Sequence, residues 1–140
     1  METITENQKV RTIKKIEKMF GHIDYKNPPE LCPVRDVMSV ASDQWSTLIL
    51  LWLGYFKTLR FNKLKKYVYG ISNKVLSQRL KVLEADGYVS RKAYPEVPIR
   101  VEYTLTDFGQ LYVEKLLDLT EWIQTNSPKI LANRERYGLL

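Results

Sequence analysis

The sequence predicts an α+β fold that is mainly α, a helical chain carrying one short β-hairpin. Three observations predict it. Gly70 to Val89 reads as a turn, a helix and a glycine stop. Tyr88 to Leu105 reads as two strands around a proline-containing link. Apolar residues recur at helical spacing on both sides of this block. Helix, tight turn, helix and then a basic hairpin is the order of a winged helix-turn-helix.

Composition narrows the class. A chain of 140 residues is one ordinary domain, long enough to bury a core without metal or disulfide help. Twenty-two Lys plus Arg against sixteen Asp plus Glu leave a net charge of +6, which favours an anionic partner, although charge alone is a weak signal. One cysteine excludes an intramolecular disulfide. No apolar run reaches membrane length, and the first twenty residues are too charged for an export signal, so a cytoplasmic, nucleoid-associated protein with no membrane partner is expected. There is no Ser/His/Asp set, no metal cluster and no phosphate loop, so neither catalytic nor metal residues are assigned, no cofactor is expected and an enzyme is poorly supported. His22 stands in a linker without Cys or carboxylate company, which is no metal site.

In chain order, residues 1–30 are expected to form an N-terminal helical arm and connector. From Thr5 to Phe20 the stripe Val10, Ile13, Ile16, Phe20 is incomplete and surrounded by Lys9, Arg11, Lys14, Lys15 and Lys18. Its apolar face is thin for a membrane-surface helix, and the pattern favours a dimer arm over a loosely attached solvated helix. Asn27-Pro28-Pro29 lies in the connector. Residues 31–105 form the core. Cys32 falls at a helix cap, with Pro33 at the first helical position. Trp45, Leu48, Ile49, Trp52, Leu53 and Phe56 give a helix buried on a broad face, and a stripe of aromatics at that spacing is packing far more often than a cofactor stack. Arg60-Phe61-Asn62-Lys63-Leu64 opens a shorter helix marked by Phe61, Leu64 and Val68.

Gly70 supplies the turn into Ser72, whose hydroxyl suits an N-cap. The next helix runs from about Asn73 to Asp86, with Leu76, Leu80 and Leu83 on the packing face and Gly87 as its left-handed stop. Pro95-Glu96-Val97-Pro98 is the tip of the hairpin, since proline cannot donate to a strand ladder. Residues 106–140 are expected to form C-terminal dimerisation helices. Thr106 caps a long helix whose stripe is Phe108, Leu111, Tyr112, Leu116, Leu119, Trp122 and Ile123; Asn126-Ser127-Pro128 breaks it, and Ile130 to Tyr137 forms a short closing helix. The core has too little surface to cover that stripe, so a second subunit is the expected cover.

The chain also resembles a family. Cys32-Pro33-Val34, Trp45-Ser46-Thr47-Leu48-Ile49-Leu50, Arg60-Phe61-Asn62-Lys63-Leu64, Gly70-Ile71-Ser72, Leu76, Leu80, Leu83-Glu84-Ala85-Asp86-Gly87, Val97-Pro98-Ile99-Arg100-Val101-Glu102-Tyr103, Leu105-Thr106 and Gly109 fall in the order and spacing of HxlR-type bacterial transcription regulators of the MarR-like superfamily. The resemblance covers roughly Cys32 to Trp122. It departs at Asp43-Gln44-Trp45, where the family usually has Gly-Lys-Trp, so no backbone contact is carried onto Gln44. It implies a homodimer held by terminal helices that binds double-stranded DNA.

On that reading Asn73, Lys74, Ser77 and Gln78 are the candidates for base reading, with Ser72 capping the helix that carries them. Lys74, Arg79 and Lys81, the wing residues Arg91, Lys92 and Arg100, and Arg60 are candidates for phosphates or the minor groove. Two such helices in a dimer imply an inverted-repeat operator with half-sites roughly 34 Å apart or a multiple of it. Cys32 stands near a helix N-terminus and Arg35, which favours a thiolate, while Glu30 and Asp36 oppose it. Two readings stay open for it: a small, partly buried apolar side chain, or a regulatory thiol, which the resemblance supports because some relatives use a cysteine there. No small-molecule effector is assigned. The alternative to a sequence-specific regulator is a winged helix used only for protein contacts.

Overall fold

A computed structural model describes residues 3–22, 26 and 32–140, and the side chains in that range other than those of residues 32, 33, 36, 40 and 41. The Asn27-Pro28-Pro29 connector and the thiol of Cys32 lie outside these described parts. The chain separates into two compact units, Met1–Met38 and Ser39–Leu140.

In the first unit, α1 (Glu6–Phe20) begins at a capping box. The Thr5 hydroxyl accepts from the Gln8 N–H at 3.2 Å, and the Gln8 side chain accepts from the Thr5 N–H at 2.8 Å. None of its residues is buried. The next helix, α2 (Cys32–Ala41), starts at Cys32 itself, so Pro33 is its second residue rather than its first. The expected boundary at residue 30 lies outside the described residues, and the two units divide within α2.

The second unit holds α3 (Gln44–Phe56), β1 (Thr58–Arg60), α4 (Phe61–Tyr67), α5 (Asn73–Ala85), β2 (Val89–Tyr94), β3 (Arg100–Leu105) and α6 (Asp107–Arg136). The sheet is antiparallel with order β1-β3-β2. Its third strand, β1, was not expected from the sequence: three residues carry no readable alternation, and only pairing with β3 makes Thr58-Leu59-Arg60 a strand. Arg60 closes that strand and occupies the N-cap of α4, which therefore starts at Phe61.

One core joins these elements. Leu76, Leu80 and Leu83 of α5 pack with Ile49, Leu50 and Leu53 of α3, Leu64 of α4, Tyr103 and Leu105 of β3, and Val113 and Leu116 of α6. On α3 the buried face is Ser46, Ile49, Leu50 and Leu53. Leu48 and Phe56, expected inside, are exposed, because a helix apolar almost all round leaves the choice of buried face to its neighbours. Trp45 and Trp52 are packing residues, half-buried against the core.

Two glycines meet specific demands. Gly87 ends α5 at φ +89°, a conformation that side chains rarely adopt. At Gly109 a Cβ would lie 2.1 Å from the Tyr88 carbonyl oxygen, so only glycine lets α6 lie against the entrance to the wing. Thr106 closes the same corner: its hydroxyl accepts from the Gly109 N–H at 2.9 Å and donates to the Gly87 carbonyl at 2.6 Å. Tyr88 is buried there, and burial raises its phenol above the ordinary range, with Tyr112 and Asp86 adding to the effect.

The last helix departs most from expectation. It runs unbroken through Pro128, with no separate closing helix. The two polar residues expected to help break it turn back on it: the Asn126 amide donates to the Trp122 carbonyl at 2.8 Å and the Ser127 hydroxyl to the Ile123 carbonyl at 2.6 Å. One proline costs a helix interior about 3 kcal/mol. Adding each further residue to an existing helix is favourable, and Lys129-Ile130-Leu131-Ala132 are serviceable helix formers.

Candidate nucleic-acid interface

The interface begins with how α5 is fixed. The Ser72 hydroxyl accepts from the Val75 N–H at 3.1 Å, so its oxygen already serves the cap. Leu76, Leu80 and Leu83 recur at four- and three-residue intervals and are buried, which turns the opposite side outward. That side carries Asn73, Lys74, Ser77, Gln78 and Lys81, every one exposed. Short amides, a hydroxyl and primary ammonium groups on one helical surface can donate to and accept from base edges and phosphates.

Beside α5 the hairpin makes a second wall. An open groove of about 620 Å³ is lined by Ser77, Lys81, Glu84 and Ala85 of the helix and by Arg91 and Tyr103 of the sheet. Lys81 and Arg91 thus line one channel from two elements, with Glu84 as an acid in the same lining. Glu84 and Tyr103 were not among the expected site residues; Glu84 lies one helical turn beyond Lys81, and that spacing was the available signal.

The rest of the wing has a different face. Along a strand successive side chains alternate sides, so Arg91 and Lys92 point apart. Opposite Glu102 of the central strand lie Arg60 on one side and Lys92 on the other. Arg100 is bound within the protein: its guanidinium lies 3.2 Å from Glu96, 3.7 Å from Glu102 and 3.8 Å from the centre of the Tyr94 ring. The Lys92 ammonium sits 4.9 Å from the same ring, and the Tyr94 hydroxyl donates to Glu102 at 3.3 Å. Arg60 and Lys92 stay exposed, whereas Arg100 is half-buried.

Arg79 also differs from its neighbours. Its guanidinium lies 3.3 Å from the Asp43 carboxylate at the start of α3, away from the exposed face. Asp43 is the N-cap of α3 and was missed as such, although an Asp followed at the third position by Ser46 and then an apolar run is a readable helix start. Gln44, the position where the family cation is lacking, is the exposed first residue of α3. Among the described residues no group of His, Cys, Asp and Glu could hold a metal ion, and no helix is long and apolar enough to cross a membrane.

A short helix, a turn, a packed helix with a polar outer face and a three-stranded sheet ending in a hairpin define the winged helix-turn-helix class of transcriptional regulators. The HxlR-like helix-turn-helix family model matches residues 40–130, and the chain belongs to that family. It is 43% identical over 106 residues to the HTH-type transcriptional regulator YtfH of Escherichia coli (strain K12), across 76% of this chain and 83% of that protein. Among solved structures, the transcriptional regulator ytfH from Salmonella typhimurium is 39% identical with a TM-score of 0.70, over 81% of this chain and 99% of that one. The redox regulator HypR in its oxidised form is 36% identical with a TM-score of 0.60, over 68% of this chain and 97% of that one. The protein is accordingly a transcriptional regulator of the HxlR type.

Proposed function

We propose that the protein acts as a homodimer on an inverted-repeat operator, laying α5 in the major groove of each half-site and its wing along the backbone or minor groove. The observation that carries this reading is the polar surface of α5, where Asn73, Lys74, Ser77, Gln78 and Lys81 stand exposed on a helix anchored by three buried leucines. Asn73, Lys74, Ser77 and Gln78 read base edges; Lys81 and Arg91 hold phosphates from the two walls of the groove; Arg60 and Lys92 supply a second cationic contact beside the wing. Dimerisation is supported by α6, which exposes Leu119, Trp122, Ile123 and Leu131. Apolar residues in such a row call for a protein partner rather than a polyanion. The half-sites then lie roughly 34 Å apart or a multiple of it.

Fluorescence anisotropy on the DNA upstream of the protein's own gene and the adjacent gene, across a salt series, tests the reading. A steep salt slope with preference for one duplex is expected. Lys74→Ala and Gln78→Ala should each lower the preference for that duplex by about 1–3 kcal/mol while leaving the binding of unrelated DNA nearly unchanged. Equal affinity for all duplexes in the wild type would instead favour a winged helix used for protein contacts alone.

Regulation through the Cys32 thiol is a second reading, supported by the redox regulator HypR among the relatives. Oxidation or electrophile addition would favour one dimer arrangement over another and so alter the spacing of the two reading helices. Diamide should release wild-type protein from its operator and leave Cys32→Ser protein bound; release of both would end this reading.

A further inference from the structure

Asp43 and Arg79 join two helices whose buried residues are Ser46, Ile49, Leu50 and Leu53 on α3 and Leu76, Leu80 and Leu83 on α5. The Asp43 carboxylate is held at the start of α3 by three donors: the N–H groups of Trp45 and Ser46, each at 2.9 Å, and the Ser46 hydroxyl at 2.7 Å. Ser46 is fully buried, and the positive end of the α3 dipole favours an anion at this place. The carboxylate is therefore a fixed point. Arg79 reaches it from the middle of α5 at 3.3 Å, with its side chain 34% exposed and that of Asp43 19% exposed.

The buried leucines set how deeply α5 sits, but apolar burial is non-directional and tolerates some rotation of a helix about its own axis. An ion pair to one side of the leucine stripe restricts that freedom, because turning α5 would carry the Arg79 guanidinium off the fixed carboxylate 3.3 Å away. Rotation is the variable that decides which side chains meet base edges. We infer that Arg79 is a positioning residue and Asp43 its anchor, and that the pair fixes the angle at which Asn73, Lys74, Ser77 and Gln78 are presented. Arg79 on this view binds no phosphate. The inference rests on the reading of α5 as the recognition helix.

The test starts with the full chain and a duplex enriched by the wild type from a random library. Asp43→Asn removes the charge and keeps a good N-cap, so α3 stays capped. Arg79→Gln removes the partner. Each substitution should lower the affinity ratio of enriched to scrambled duplex about fivefold, and the double variant should lose no more than either single one. The slope of log K against log salt should stay at the wild-type value.

A slope reduced by about one in Arg79→Gln, with Asp43→Asn silent, would make Arg79 a phosphate ligand and overturn the inference. Additive losses would overturn it too. Amide hydrogen exchange without DNA supplies an independent reading: both substitutions should speed exchange in α5 by the same factor, and unchanged exchange would sink the anchor. If the wild type enriches no duplex, sequence-specific recognition fails, while the exchange experiment still decides whether the pair holds the helix.

Discussion

The helices α5 and α6 both carry a leucine stripe, but they end in opposite situations. Along α5 the stripe is covered from Leu76 to Leu83, and what remains outside is mostly amide, hydroxyl and ammonium, with the Glu84 carboxylate and Ala85 near its end. Along α6 the last buried residue is Leu116, and the helix continues to Arg136, roughly 30 Å further at 1.5 Å per residue, exposing Leu119, Trp122, Ile123 and Leu131. A covered helix with a polar outside can meet water, phosphates and bases without losing a core. A helix whose outside is still apolar gains most from another apolar surface. Exposure alone does not mark a site; the chemistry of the exposed side says what kind of partner it suits.

Leucine truncation gives the sharpest contrast. Leu80→Ala, in the covered stripe, should lower stability by about 3 kcal/mol, while Leu119→Ala should change the stability of a single subunit by less than about 1 kcal/mol, both measured by urea unfolding at low protein concentration. Similar costs at the two positions would mean that α6 is covered within its own chain. Next in size is Trp122→Glu, a charge at the centre of the exposed row. It should weaken self-association by roughly 100-fold in sedimentation equilibrium, as the loss of an aromatic anchor does at an interface, and leave the urea midpoint of the monomer in place.

A smaller effect separates two wing arginines. Arg91→Ala should reduce the salt slope of DNA binding by about one, whereas Arg100→Ala should leave the slope unchanged, because Arg100 is already engaged by Glu96, Glu102 and Tyr94. A reduced slope in both would return Arg100 to the phosphate contacts. The smallest effect lies where α5 hands over to the wing. Tyr88 prefers its neutral form in the folded state, so its contribution is constant below pH 10, where the phenol is neutral in both states, and is lost as pH rises through its elevated value. Stability measured by urea unfolding should fall above about pH 10, and less so in Tyr88→Phe.

Much of this was legible because the controlling signals are local. Ser72, Gly87 and Thr106 announce caps and stops through their own chemistry, and each does so in the structure. The leucines of α5 repeat at a spacing that admits only one buried face. The failures occurred where a local signal competes with a distant one. Asn126-Ser127-Pro128 reads as a stop, yet the preceding turns carry the helix through it. Thr58-Leu59-Arg60 is too short to declare itself and becomes a strand only beside Thr104, Tyr103 and Glu102. Arg79 reads as a free cation because nothing near it in sequence announces Asp43, whereas Arg100 has Glu96 and Glu102 close by in sequence but only the hairpin brings the Tyr94 ring beneath it.

By itself the sequence determined the buried and exposed faces of α5, the turn before it and the hairpin after it, since periodicity and capping act over fewer than ten residues. Only the tertiary structure decided which cations remain free. A charge is spent or available according to what packs beside it, and Asp43 and Arg79, thirty-six positions apart in sequence (79 − 43), meet only when α3 and α5 share one core.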